Sequence, residues 1–163
     1  MRSVAVFKWK GELPNDDESD PEQLTTDFAR PAAETLFTEL RKRGYFSNVK
    51  TPYSGEGGWH FTINVDVQSY SVFTMWTGIG KQDEDYFAIQ SYLRRGCLGA
   101  LLAPRQPDEN LEPLCLVLDT ALRAIPLVTD LQWLTDQEFQ NAYCDGGPLP
   151  QNSAEQRDER EPE

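Results

Sequence analysis

Trp59-His60-Phe61-Thr62-Ile63-Asn64-Val65, followed after four residues by Tyr70-Ser71-Val72-Phe73-Thr74-Met75-Trp76-Thr77, decides the fold of this chain. In the first run Trp59, Phe61, Ile63 and Val65 alternate with His60, Thr62 and Asn64, the period of a strand with one face in a core and the other toward water. If the second run folds back over Asp66 to Ser69, Val65 meets Tyr70, Ile63 meets Val72 and Trp59 meets Trp76 on one face. The same register sets His60 beside Met75 and Thr62 beside Phe73 on the other face, which therefore also carries rings and a thioether. That face has something to cover or to offer.

Working outward, Phe46 to Tyr53 reads as a weaker strand ending at Gly55-Glu56-Gly57-Gly58, and Tyr86 to Leu93 reads as a further strand after a turn over Gly78 to Asp85. Together these runs predict a four-stranded antiparallel meander. Ser3 to Trp9 is a first strand, with Val4, Val6 and Lys8 opposing Ala5, Phe7 and Trp9. From Pro31 the period changes: Ala33, Leu36, Phe37 and Leu40 share one face of a helix that opens at Pro31 and ends at Gly44, the left-handed cap. Leu111, Leu114, Cys115, Leu118 and Leu122 form a second helical stripe, with Asp108 or Asn110 as the expected N-cap and Pro113 in the first turn. Leu127 to Trp133 is a short strand, and Thr135 with Glu138 forms a capping box that opens a helix to about Tyr143. The fold class expected is α+β: an antiparallel sheet of about four to six strands with two to three helices packed on one face.

The charge is unevenly placed. The chain has 163 residues with 27 acids against 15 bases, a net charge of −12. Glu12, Asp16, Asp17, Glu18, Asp20 and Glu22 form one block, and the stretch from Asp145 to Glu163 is a second, diluted by Arg157 and Arg160. The expected organisation is one domain over residues 1–144 with an acidic loop at 11–25, then a disordered acidic tail at 145–163 that lacks the apolar area to offset its ordering entropy. So acidic a chain is a poor general nucleic-acid binder, because neutralising phosphates needs clustered Lys and Arg. Only Ser3 to Phe7 separate Arg2 from Lys8, too short for a secretory core. The longest apolar run, Cys97 to Ala103, is too short to cross a membrane. Cys97, Cys115 and Cys144 have no C-x-x-C spacing and fit reduced thiols, so a cytoplasmic location is expected.

Chemistry-bearing motifs are eliminated in turn. His60 is the single histidine, so two-histidine metal motifs cannot form, and Asp66 lies about 20 Å along the same strand. Asp16, Glu18 and Asp20 alternate like calcium-loop ligands, but Pro21 stands where glycine is required and Asp27 where a bidentate Glu is needed. Asp83, Glu84 and Asp85 read as a solvated turn. The glycines at Gly55 to Gly58 and at Gly78 and Gly80 open no helix and precede no Lys-Ser/Thr pair, so they are hairpin punctuation rather than phosphate loops. No G-x-S-x-G elbow occurs. Accordingly no catalytic residue, metal ligand or cofactor is expected.

Two features remain: aromatic residues along the meander and the basic pair Arg94-Arg95. A sheet with helices on one side cannot hide both faces, so Phe73, Met75, His60, Tyr86 and Tyr92, with Arg94 and Arg95 at a strand end, are the candidate partner-binding residues. The expected function is a small cytosolic, non-enzymatic protein-interaction domain, of the inhibitor, immunity-like or chaperone-like adaptor kind. It would bind a protein partner or another copy of itself through an aromatic sheet face or an edge, and neither nucleic acid nor membrane. The alternative is an enzyme or small-ligand binder with a pocket between sheet and helices. A weaker third reading, a nucleic-acid mimic, requires acids on a folded face.

Overall fold

A computed structural model of the chain describes residues 1–14, 21–55, 57–79, 85–94 and 111–144. Its elements run β1 (Val4–Trp9), α1 (Pro21–Lys42), β2 (Tyr53–Gly55), β3 (Gly58–Val65), β4 (Gln68–Ile79), β5 (Asp85–Leu93), α2 (Glu112–Ala124), β6 (Val128–Leu134) and a short α3 (Asp136–Phe139) that continues as a π-helical turn over Gln140–Cys144. The six strands form one antiparallel sheet in the order β2-β3-β4-β5-β1-β6. This is the α+β class that the sequence predicts, with the first strand of the chain placed inside the sheet.

One sheet face carries the main core. Ala5, Phe7, Phe61, Ile63, Val72, Phe87 and Ile89 point to it and meet Ala32, Leu36, Phe37 and Leu40 of α1 and Leu114, Leu118 and Leu122 of α2. Phe37 meets Phe61 edge-on at 5.3 Å, and Phe28 meets Trp76 edge-on at 4.9 Å. Cys115 is half-buried against this core. Asp119 ties α2 to β6, accepting from the Trp133 indole at 2.8 Å and from Arg123 at 2.8 Å.

The second face is not left wholly open. Thr135 accepts from the Glu138 backbone while Glu138 accepts from Thr135, the expected capping box. It turns α3 across the β5-β1-β6 end, where Phe139 and Tyr143 pack on Val4, Val6, Ala88 and Leu134 in a second core. The two long helices share one face, and this short third segment covers part of the other.

Several local expectations are corrected. The β3–β4 hairpin turns on two residues, Asp66 and Val67, with Val65 opposite Gln68, Ile63 opposite Tyr70 and Phe61 opposite Val72. The predicted register was therefore two residues out. Asp66 takes φ 54°, a conformation Asp tolerates better than most residues and one that lets the hairpin close tightly. A slip of two keeps every side chain on its predicted face.

Residues 48–50 are bends rather than strand, and β2 is only Tyr53–Gly55, although the Phe46 carbonyl accepts from Asn64 N–H at 2.8 Å beside it. Helix α1 starts at Pro21, so Pro31 lies inside it and residues 21–25 are helical, not loop. An interior proline removes one N–H and crowds the preceding turn. Burial of Thr26, Phe28 and Ala29 on the upstream side holds the helix through that defect. The N-cap of α2 is Leu111, with no side-chain cap bond; Asp108 and Asn110 lie outside the described residues.

Candidate recognition face

The part of the second face that the described helices leave uncovered is built by β2, β3, β4 and the far end of β5. Tyr53 pairs with His60, His60 with Phe73 and Phe73 with Gln90, so one cross-strand row carries three rings. Tyr53 stacks on His60 with centroids 5.7 Å apart and planes 18° from parallel; His60 stacks on Phe73 at 4.3 Å and 22°. In the adjacent row Thr62 pairs with Ser71 and Ser71 with Tyr92, whose ring is 48% exposed; Tyr53 is 50% exposed. Small side chains thus lie between two half-exposed tyrosines.

Two glycines make the row possible. A Cβ on Gly55 would stand 2.5 Å from Cδ2 and Nε2 of His60, and one on Gly58 would strike the Thr74 carbonyl and lie 2.6 Å from Cε2 of Phe73. The imidazole and the phenyl ring lie against bare backbone. Aromatic rings over strand glycines restore the contact that a missing side chain leaves out.

Burial sets the electrostatics. It pushes the His60 imidazole below its ordinary pKa, which favours the neutral ring in the stack. Tyr92 is raised, first by burial and then by Tyr53, whose hydroxyl shares its surroundings. Tyr143 is raised further, by burial and then by Tyr86. Among the described residues, no Asp or Glu occupies a second-face position on β2, β3 or β4, nor from Tyr86 to Tyr92 on β5.

The predicted partner-binding residues divide. His60, Phe73 and Tyr92 lie together on the uncovered face, and Arg94 is exposed at the end of β5. Met75 and Tyr86 pack instead against the second core beneath α3, and Arg95 lies outside the described residues. Tyr53 belongs to the row and ends the predicted Phe46 to Tyr53 strand, but it is absent from the sequence-derived partner set.

Other candidate features lie elsewhere. A groove of about 460 Å³ runs between α1 and the α2–β6 turn, lined by Glu34, Glu39 and Lys42 among others. Its two acids pair locally, Glu34 with Arg30 within α1 and Glu39 with Arg43 just past its end. A second groove of about 390 Å³ lies by Arg43, Tyr45 and Leu116. The acids at Asp83 and Glu84 fall outside the described residues, and among those described no group of three or more His, Cys, Asp or Glu is placed to hold a metal ion. Among the described residues, no helix is long and apolar enough to cross a membrane. Comparison with family models, with curated proteins and with solved structures finds no match to this chain.

Proposed function

We propose that this chain is a non-enzymatic protein-interaction domain whose recognition surface is the uncovered aromatic part of the second sheet face. The observation that carries the reading is the three-ring row of Tyr53, His60 and Phe73, flanked by Tyr92, on strands that the described helices leave open. Tyrosines that are half-exposed on a rigid sheet supply large contact area at small entropic cost, which is why aromatic residues are enriched at interface centres. An inhibitor, an immunity-type protein or a secretion chaperone with a cytoplasmic site of action has this physical profile. The profile is shared chemistry rather than kinship. A Tyr53→Ser, Tyr92→Ser double variant tests the reading, because both rings are half in water and their loss leaves the core intact. Wild type is expected to retain a protein from source lysate that the folded double variant fails to retain. Equal recovery of every retained protein by both chains overturns the proposal.

A further inference from the structure

We propose that one end of the molecule, formed by the β3–β4 turn, the segment after α1 and the end of β5, docks on the surface of an anionic lipid bilayer without crossing it. Backbone bonds bring the three together. The Phe46 carbonyl accepts from Asn64 N–H at 2.8 Å, Asn64 stands opposite Ser69, and the Ser69 carbonyl accepts from Arg94 N–H at 2.8 Å. Phe46 and Arg94 are thus three strand spacings apart, about 14 Å, with the Asp66-Val67 turn at the end of the hairpin between them. Val67 is 99% exposed and Phe46 79%, the highest values among the exposed large apolar side chains described. Neither supports the core, and a two-residue turn favours Asn, Asp or Gly over a β-branched residue.

Charge gathers at the same end. Ten Lys and Arg lie among the described residues, of which Arg2, Lys8, Arg30, Arg43 and Arg123 pair with carboxylates. The other five, Lys10, Arg41, Lys42, Lys50 and Arg94, form no ion pair with a described carboxylate. Four of those five stand here, all exposed: Arg41 donates to the Lys50 carbonyl at 3.4 Å, Lys42 follows it in the chain, and Arg94 closes the row. Against them stand Asp66 in the turn and Glu39, which Arg43 neutralises. Lys42 also suits the C-terminal end of the α1 dipole, but Lys50 and Arg94 lie on no helix. Helix α1 runs from Glu22 and Asp27 at its start to Arg41 and Lys42 at its end, so charge separates along the molecule.

The bases call for an anionic partner, and the protruding tips call for an apolar phase beneath the charge. A bilayer offers both, with charged headgroups at its surface and hydrocarbon within about 5–10 Å. A nucleic-acid strand would stack on Phe46 but gives the aliphatic Val67 no counterpart. An acidic protein would need a separate pocket for each tip and would have to order Lys42 and Lys50, a residue type depleted at protein interfaces. A charged lipid surface attracts both lysines without fixing their rotamers. The expectation against a membrane partner came from the lack of a spanning run, which bears on crossing and not on contact.

Co-sedimentation of the full chain with vesicles provides the test, using phosphatidylcholine alone and phosphatidylcholine with phosphatidylserine in about a 2:1 ratio. The wild type is expected to pellet with the phosphatidylserine vesicles and not with phosphatidylcholine alone. It should be released as salt rises from about 0.1 to 1 M, where the screening length falls from about 10 to 3 Å. Lys42→Gln with Lys50→Gln and Arg94→Gln should weaken binding about a hundredfold, and Phe46→Ser with Val67→Ser about tenfold or more. Leu116→Ser, at the 65% exposed Leu116 on the outside of α2, should leave it unchanged. All these side chains are exposed, so the variants keep their cores. No pelleting of the wild type with either vesicle, binding indifferent to the three bases, or loss in Leu116→Ser overturns the proposal. So does binding of polyglutamate or of a labelled single-stranded oligonucleotide that is as tight as vesicle binding and indifferent to Phe46→Ser with Val67→Ser, which would assign this end to an acidic protein or a nucleic acid. Tyr53 and Tyr92 are untouched in every variant, so the reading of the aromatic face stands or falls separately.

Discussion

Phe73 and His60 face one another across β4 and β3 with ring centroids 4.3 Å apart, and each ring lies against a glycine of the neighbouring strand. In the proposed reading the stack, and not the isolated histidine, is the unit that a partner would meet, so perturbing either its backing or its protonation should be measurable.

The backing comes first. At Gly58 an added methyl meets the Thr74 backbone carbonyl as well as the Phe73 ring, and backbone cannot step aside. Gly58→Ala is expected to cost about 1–3 kcal/mol, the usual range for overpacking. At Gly55 the obstacle is only the edge of the His60 ring, which can rotate. Gly55→Ala should cost less than Gly58→Ala while displacing the imidazole. Urea unfolding of both variants ranks the costs, and the reverse order would contradict this geometry.

Protonation of His60 has a fixed sign. Burial lowers its folded-state pKa, so the unfolded chain takes up the proton more readily. Stability is then full above the unfolded value of about 6.5 and declines as pH falls through that value toward the folded one. Thermal unfolding should show a drop as pH falls below about 6.5 that is absent in His60→Phe, a variant that keeps a stacking ring without a titrating group. The chain has one histidine, so a single imidazole resonance reports the midpoint directly, and a midpoint at or above 6.5 would refute the claim.

Asp119 works in the other pH range. The Arg123 guanidinium holds its carboxyl below the ordinary carboxylate pKa, and the Trp133 indole adds to this against the opposing effect of burial. A depressed pKa gives stability that is present above the unfolded value, near 4, and is lost as pH falls through the folded one. Asp119→Ala should cost about 1–3 kcal/mol at neutral pH because the half-buried Trp133 N–H loses its acceptor. Asp119→Asn, which retains an acceptor oxygen, should recover part of that loss and flatten the acid limb of the stability profile. Equal stability of Ala and Asn variants would remove the role assigned to the indole bond.

The capping box controls how much of the second face stays covered. Thr135→Ala is expected to cost about 1 kcal/mol, and the loss should be local. Amide exchange should accelerate across Asp136 to Cys144 and in the second-face positions of β1, with α1 and α2 unchanged. Uniform acceleration over the whole chain would show that α3 is no separate unit.

Much of the architecture was legible because the decisive signals are local. Alternation in Trp59 to Val65, the Ala33-Leu36-Phe37-Leu40 stripe and the Thr135–Glu138 box each specify an element without reference to distant residues. What escaped depended on contacts between distant parts. Pro31 looked like a helix start because nothing local reveals that Phe28 packs on Trp76 upstream of it. The second core had one unread sign: Val4 and Val6 are as apolar as Ala5 and Phe7, and a strand apolar on both sides is covered on both sides. Tyr53 ends a predicted strand, but its stack on His60 follows from the pairing of a three-residue edge strand, which no local pattern shows. The glycines were read as punctuation, when their missing side chains are what seat His60 and Phe73.

The place of β1 has a consequence for biogenesis. It precedes every other described element in the chain, yet its neighbours in the sheet are β5 and β6, and Arg2 beside it binds the carbonyl of Trp133, 131 residues away. While a ribosome is still extending the chain, Val4 to Trp9 must wait with two apolar sides unsheltered until almost the whole domain has emerged. Closure is thus a late, all-or-nothing event and a slow one, because such distant segments must find each other. During that interval β1 is an apolar segment that a chaperone could shelter.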